Sequence, residues 1–303
     1  MSPQRRAEVF LLSITVIWGS TFVITKGLLE ENSPLWYTTL RFFLAALLLF
    51  LIFPRRILST SRSAVNSGVI LGLFLFIGFA LQTIGLLYTT ASKSAFFTGM
   101  LVVLTPIVHF AAQYFLNVRK KPLKVGNIVG VGNAAIGLYL MTSPASGGFT
   151  LGDGLTLLCA LMFAFYIVYL DSVPTETDKM QLTFVMFFVC GVLGLLCAVS
   201  WENIHIQLTD EFIAALLYLT IFATVIAMAV QNRYQGDTTP TRAAVIFALE
   251  PVVAAVFAYV VREENIGTLG VIGGMIIISG LLLSELSDEI PLLNRSITER
   301  ATN

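Results

Sequence analysis

The side chains best placed to do chemistry in this chain are polar groups stranded in long apolar runs. Glu250 precedes Pro251 within AAVIFALEPVVAAVFAYVV, about ten residues into that run. A charge at the centre of a membrane-spanning helix costs about 2.5–3.5 kcal/mol on insertion scales, so such a carboxylate needs a partner or a task. Two tasks suit it, carrying a coupling proton or pairing with a substrate amine; the alternative is a structural carboxylate tied to a neighbouring helix. Arg41 lies early in the second apolar run, where it either attracts an anionic substrate group or turns its long stem outward to bond loop carbonyls. In the fourth run Lys93, Phe97, Leu101, Thr105, His109 and Gln113 recur every four positions and share one slowly drifting helical face. Lys93 starts that run as a gate residue or a solvated helix end. Thr105, His109 and Gln113 follow one another on the face and suggest a wet pathway, in which His109 is a proton carrier or a hydrogen-bonded structural histidine. Trp18, Phe163, Tyr166, Gln82 and Tyr88 complete the candidates, since an apolar cavity with a few polar groups suits a small amphiphilic substrate. The competing reading has these aromatic rings facing lipid or core.

Those residues need elements to hold them. The chain has 303 residues, 56% hydrophobic and 12% charged. Ordinary soluble domains carry about 25% charged residues, so lipid is the main solvent here. Ten apolar stretches are long enough to cross a bilayer as helices: 8–27, 34–53, 66–87, 92–116, 124–142, 152–170, 180–200, 211–231, 241–261 and 266–285. The Val- and Ile-rich runs are too long for strands, and helices satisfy their own backbone in hydrocarbon. With the N-terminus inside, fourteen Lys and Arg fall on the inner side, among them Arg5, Arg6, Arg55, Arg56, Arg119, Lys120, Lys121, Arg295 and Arg300. Lys26, Lys93 and Arg262 fall outside. This bias predicts cytoplasmic termini.

The fourth and ninth runs are copies. AFFTGMLVVLTPIVHFAAQYFL around Pro106 matches PTRAAVIFALEPVVAAVFAYVV around Pro251, and each precedes a Gly-rich apolar run. Five spans per copy is an odd number, so the second copy enters the membrane from the opposite side. The fold expected is therefore all-α and integral to the membrane: ten helices as two inverted five-helix repeats, 1–143 and 150–286, with a cytoplasmic tail over 287–303. Inverted repeats place a site at their interface near the midplane. The same spacing sets Trp18 opposite Phe163 and Thr21 opposite Tyr166, but Thr105 opposite Glu250. Pro106 and Pro251 each remove a helix hydrogen bond, as hinges or as static kinks. Gly126/Gly130 and Gly270/Gly274, four apart, permit close helix contact between the halves or between two copies of the chain.

IWGSTF at 17–22, Arg41, LLYTTASKSAFFTGMLVVLTP at 86–106, ALEP at 248–251 and the Gly-rich last run, taken in order, resemble the EamA family of the drug/metabolite transporter superfamily. The resemblance covers nearly the whole chain. It implies a basket of ten helices around a central cavity, exporting amino acids or other small metabolites by alternating access. Family members carry Glu about thirteen residues after each repeat's Pro; Glu264 supplies it once, and Arg119 stands at the first position. Uptake or multidrug transport on the same fold is the alternative, and a membrane receptor or scaffold a remote one.

Other classes find little support. Charges scattered between apolar runs argue against nucleic-acid binding. Cys159, Cys190 and Cys197 lie inside apolar runs without metal-ligand spacing and read as core residues. No metal or cofactor is expected; the partners are the lipid bilayer and a small-molecule substrate. HExxH is absent, and Asp153 in Gly152–Asp153–Gly154 has no second intramembrane Asp to form a catalytic pair. The N-terminal run lacks a small-residue cleavage site and reads as an uncleaved span. DEIPLL at 288–293 and Asn294–Ser296 match a sorting signal and a glycosylation sequon by chance. The expected setting is a bacterial inner membrane.

Overall fold

The computed structural model describes residues 1–115, 124–142, 149–262 and 267–285. Arg119, Lys120, Lys121, Glu264 and the tail over 287–303, with Arg295, Arg300 and both short motifs, lie outside the described residues. Among the described residues, nine helical stretches are long and apolar enough to cross a membrane, and Val125–Met141 is a shorter tenth. The multi-pass helical fold is thus present, without a strand among the described residues.

Helix starts are written in local chemistry. Ser2, Ser61, Thr90, Thr150, Thr209 and Thr239 each accept a hydrogen bond from a backbone N–H of the first turn, and Pro3, Pro34 and Pro240 open helices where no N–H partner is needed. The first three spans are Pro3–Leu28, Pro34–Ile52 and Arg62–Leu87. The fourth is broken, Ala91–Gly99 then Leu101–Phe115, and the fifth is Val125–Thr142. In the second half the sixth and seventh spans are Leu151–Ser172 and Lys179–Trp201. The eighth runs Asp210–Tyr218, widens to a π-helix over Leu219–Ile226 and ends at Ala227–Tyr234. The ninth is broken into Pro240–Phe247 and Glu250–Arg262, and the tenth is Gly267–Glu285.

Three details depart from the uniform spans expected. A short helix, Pro54–Leu58, follows the second span. The eighth span carries eight π-helical residues with no Gly or Pro among them. The breaks in the fourth and ninth spans also fall differently from the prolines. Pro251 is the second residue after its break, whereas Pro106 lies inside the continuous helix Leu101–Phe115 and the break falls at Met100. By place in the broken helix, the counterpart of Glu250 is therefore Leu101 rather than Thr105.

Packing between the halves follows a pseudo-twofold pattern. The first span packs on the ninth, and the sixth on the fourth; the third meets the sixth and seventh, as the eighth meets the first and second. The second packs on the seventh and the fifth on the tenth, each pair its own counterpart. The last contact is backbone on backbone. A Cβ on Gly137 would lie 2.5 Å from the Gly273 carbonyl oxygen, and one on Gly130 would lie 2.9 Å from that of Gly280. Within one chain, then, this small-residue stripe joins half to half.

Candidate functional site

The pseudo-twofold arrangement leaves a cavity among the first, second, third, fourth, sixth, eighth and ninth spans. The space within it, part of which is continuous with open solvent, totals about 550 Å³. Its wall is mostly apolar and aromatic: Trp18 and Phe22 from the first span, Leu75 and Phe79 from the third, Phe163 and Ile167 from the sixth, Phe247 from the ninth. Both broken helices reach it through the first residue after their break, Leu101 in the fourth span and Glu250 in the ninth. The breaks touch each other, since a Cβ on Gly99 would lie 2.8 Å from the Pro251 ring. Glu250 is the first residue of the helical segment Glu250–Arg262.

Arg41 and Glu250 are the two charged side chains of this wall, and both are buried. Arg41 Nε donates to Thr224 Oγ1 at 2.6 Å and Nη1 to the Tyr37 hydroxyl at 3.3 Å. The guanidinium also lies over the rings of Phe79, 4.9 Å from its centroid, and Phe42, at 5.8 Å. Thr224 can serve Arg41 because its own proton goes back to the Leu219 carbonyl, five residues earlier in the π-helical segment. Among the described residues Arg41 meets no carboxylate, and Glu250 makes neither an ion pair nor a hydrogen bond. Each is a buried ionisable group without a counter-charge, and holding it in its charged form costs free energy unless a ligand completes it.

Neutral polar groups fix the rest of the wall. Trp18 Nε1 donates to the Ala223 carbonyl at 2.9 Å, and its ring meets Phe247 edge-on, 5.4 Å between centroids. Phe163 meets Phe79 in the same way at 5.5 Å. Tyr166 donates to Asn232 Oδ1 at 2.6 Å, and Asn232 Nδ2 donates to Thr183, closing the wall between the sixth, seventh and eighth spans. Gln82 Nε2 donates to Thr98 Oγ1 at 3.1 Å. Gln231, also on the wall, donates to Gln235, which donates to the Ile167 carbonyl.

The cavity thus brings together Trp18, Gln82, Phe163, Tyr166, Arg41 and Glu250. It does not take in the rest of the fourth-span stripe: the break at Met100 sets Lys93 and Phe97 on the preceding helix, and Thr105, His109 and Gln113 lie about 6, 12 and 18 Å beyond Leu101 along the continuous helix Leu101–Phe115. Only Leu101 of that stripe lines the wall. Thr105 is fully buried, and its hydroxyl has no partner among the described residues. His109 is buried and lies 2.9 Å from Gln113, ring nitrogen to amide nitrogen. Lys93 Nζ stands 3.5 Å from Asp153 Oδ2, and Tyr88 is exposed at the end of the third span. Asp153 itself closes a capping box with Thr150. Phe79, Phe247 and Gln231 belong to the wall and drew no notice in the sequence. Phe247 had one available signal, its place three residues before Glu250.

An inverted pair of five-helix bundles with two broken helices meeting at a central, charged cavity is the architecture of a membrane transporter. The pattern describing the EamA-like transporter family matches residues 5–143 and again 150–286, and the chain belongs to that family. An Archaeoglobus fulgidus protein named as an uncharacterized transporter is 32% identical over 280 residues, covering 92% of this chain and 86% of that one. An Escherichia coli K12 protein named as a probable amino-acid metabolite efflux pump is 26% identical over 307 residues, covering 93% and 95%. A solved crystal structure superposes with a TM-score of 0.76 over 93% of this chain and 97% of that chain at 15% identity, a likeness of fold.

Proposed function

We propose that this transporter exports small zwitterionic metabolites, amino acids or close relatives, by alternating access and in exchange for protons. The observation that carries the reading is the presence of Arg41 and Glu250, one basic and one acidic side chain, neither with a counter-charge among the described residues, on the wall of one largely aromatic cavity. A substrate carboxylate would take the N–H donors of Arg41 not already given to Thr224 and Tyr37. A substrate ammonium would sit on Glu250, and the apolar side chain would lie against Trp18, Phe79, Phe163 and Phe247. A proton and an ammonium group compete for the same carboxylate, so loading from one face displaces a proton taken from the other. The name of the Escherichia coli relative agrees with this substrate class. We place the chain in the inner or plasma membrane with both termini cytoplasmic, from the bias of Lys and Arg between its two faces.

Flux into proteoliposomes tests the substrate. Labelled amino acids should move, while their amides, lacking the carboxylate, and the matching keto acids, lacking the amine, should move at least tenfold more slowly, the usual penalty when a site's buried polar group is left unpaired. An imposed pH gradient should drive flux in the native protein and lose its effect in Glu250→Gln. Equal flux of all three compound classes would sink the zwitterion reading.

A further inference from the structure

Among the described residues, two buried ion pairs each tie the first span of one half to the broken span of the other, one at each end of the bundle; a third and more exposed pair, Arg56–Asp178, joins the halves outside those spans. Because each span reverses direction, the first and ninth spans begin at the end bearing the N-terminus, and the fourth and sixth begin at the opposite end. At the first end, Arg242 Nε lies 3.0 Å from Glu8 Oε1, with its N–H aimed off the contact axis, and Glu8 also accepts from Gln4 at 2.9 Å. At the other end, Lys93 meets Asp153, which also accepts from Thr89 Oγ1 and the Thr150 amide.

The correspondence extends to register. Lys93 and Arg242 are each the third residue of a broken span, after a Thr cap at 90 and at 239. Glu8 and Asp153 are each ten residues before the cavity aromatic of their span, Trp18 and Phe163. That separation is about 15 Å along a helix axis, so the pairs flank the cavity above and below. All four side chains are substantially buried: the pairs expose 5% and 8% at one end, 17% and 1% at the other.

We propose that Glu8–Arg242 and Lys93–Asp153 are reciprocal end latches, each holding its face of the transporter shut and parting when that face opens. Both join the first span of one half to the broken span of the other, the contact that must separate if the halves rock about a central site. A buried pair resists that separation because parting leaves two charges needing water, which enters only through the opened end. Matched latches at both ends keep the two closed-face states near balance, so that substrate and proton decide which face opens. The inference rests on alternating access, but not on the identity of the substrate.

The test reads accessibility, independent of flux. Thr21→Cys places a thiol on the cavity wall of a chain in which Cys159, Cys190 and Cys197 are replaced by Ala. A membrane-impermeant maleimide is then applied to each face of oriented vesicles. Arg242→Gln should raise labelling from the face bearing the N-terminus by roughly tenfold and lower it from the other, and Lys93→Gln should do the reverse, as a coupling of ordinary size requires. Lysine and arginine are replaced rather than the acids because Asp153 also caps its helix. The double exchange Glu8→Arg with Arg242→Glu should return labelling toward the starting ratio, which separates loss of the latch from loss of fold. Opposite shifts with rescue support the latches. Shifts of the same sign, unchanged labelling in monodisperse protein, or no rescue would overturn them. A substrate panel that fails while these shifts appear would reject the zwitterion reading alone.

Discussion

Arg41 and Glu250 illustrate why a buried charge in a membrane helix is informative at the level of one residue. Each is expensive to keep, and each faces a cavity. Arg41 is held flat by hydroxyls from two helices and by two ring faces, which exploits the planar fork of guanidinium. Arg41→Lys keeps the charge and loses the fork; we expect flux of the preferred substrate to fall about tenfold, mainly through KM, in initial-rate measurements on proteoliposomes. Away from the cavity, Asp178 shows a different use of a carboxylate. It caps the seventh span through the Met180 and Gln181 amides and meets Arg56 at 2.5 Å. Burial alone would push its carboxyl up, but the bonds from Arg56 and the two amides hold it below the usual range. A lowered value in the fold means stability present above the ordinary carboxylate range and lost as pH falls through the lowered value. Asp178→Asn keeps a good cap, so it should cost only about 0.5–1 kcal/mol at pH 7, given the partial exposure of the pair, and nothing near pH 2, by thermal unfolding in detergent. Much of the cavity wall was legible in sequence because a polar or large aromatic group in an apolar run stands out; Arg41, Glu250, Gln82 and Trp18 all did. Phe79 and Phe247 did not, since one phenylalanine among 23 carries no mark of which way it faces.

At the scale of the element, repetition was visible and irregularity was not. The matched passages around Pro106 and Pro251 gave away the duplicated span, because that is a pattern of residue type; of the four-apart glycines only Gly130 joins the close contact, which is otherwise made by Gly137, Gly273 and Gly280. Where the helices break depends instead on packing across the interface. The break at Met100 lies six residues before Pro106, beside Gly99, where the Pro251 ring of the other half takes the space a side chain would fill. The π-helical turn Leu219–Ile226 has no local signal at all, and its purpose appears only with Trp18 and Arg41 bonded to Ala223 and Thr224. The fifth and tenth spans give the clearest element-level prediction. Gly137→Val would force three carbons into a backbone contact already at its limit, and should destabilise the detergent-solubilised protein by about 1–3 kcal/mol, the usual cost of overpacking. Gly132→Val, on the same helix with nothing within 4 Å of its Cβ position, should unfold within a few tenths of a kcal/mol of the parent, which controls for helix propensity.

For the whole molecule, the orientation we propose rests on how charge is divided between the two ends of the bundle. Among the described residues, Arg5, Arg6, Arg55, Arg56, Arg62, Lys124, Lys179, Arg233 and Arg242 lie at the end bearing the N-terminus, and Lys26, Lys93 and Arg262 at the other. Two of those at the far end are engaged: Lys26 Nζ donates to the Leu86 carbonyl at 2.5 Å, and Lys93 pairs with Asp153. At the near end Arg55 and Arg56 sit on the short helix Pro54–Leu58, beside the start of the third span. Each basic residue near an anionic leaflet contributes about 1 kcal/mol, so the asymmetry favours the near end on the cytoplasmic side by several kcal/mol. Asn203, exposed in the loop between the seventh and eighth spans at the far end, is the site to test. With the three native cysteines replaced, Asn203→Cys should react with an impermeant maleimide on intact cells, and Ser59→Cys, exposed at the near end, only after the membrane is opened. The reverse pattern would invert the molecule, with the direction of net flux still set by the substrate and proton gradients.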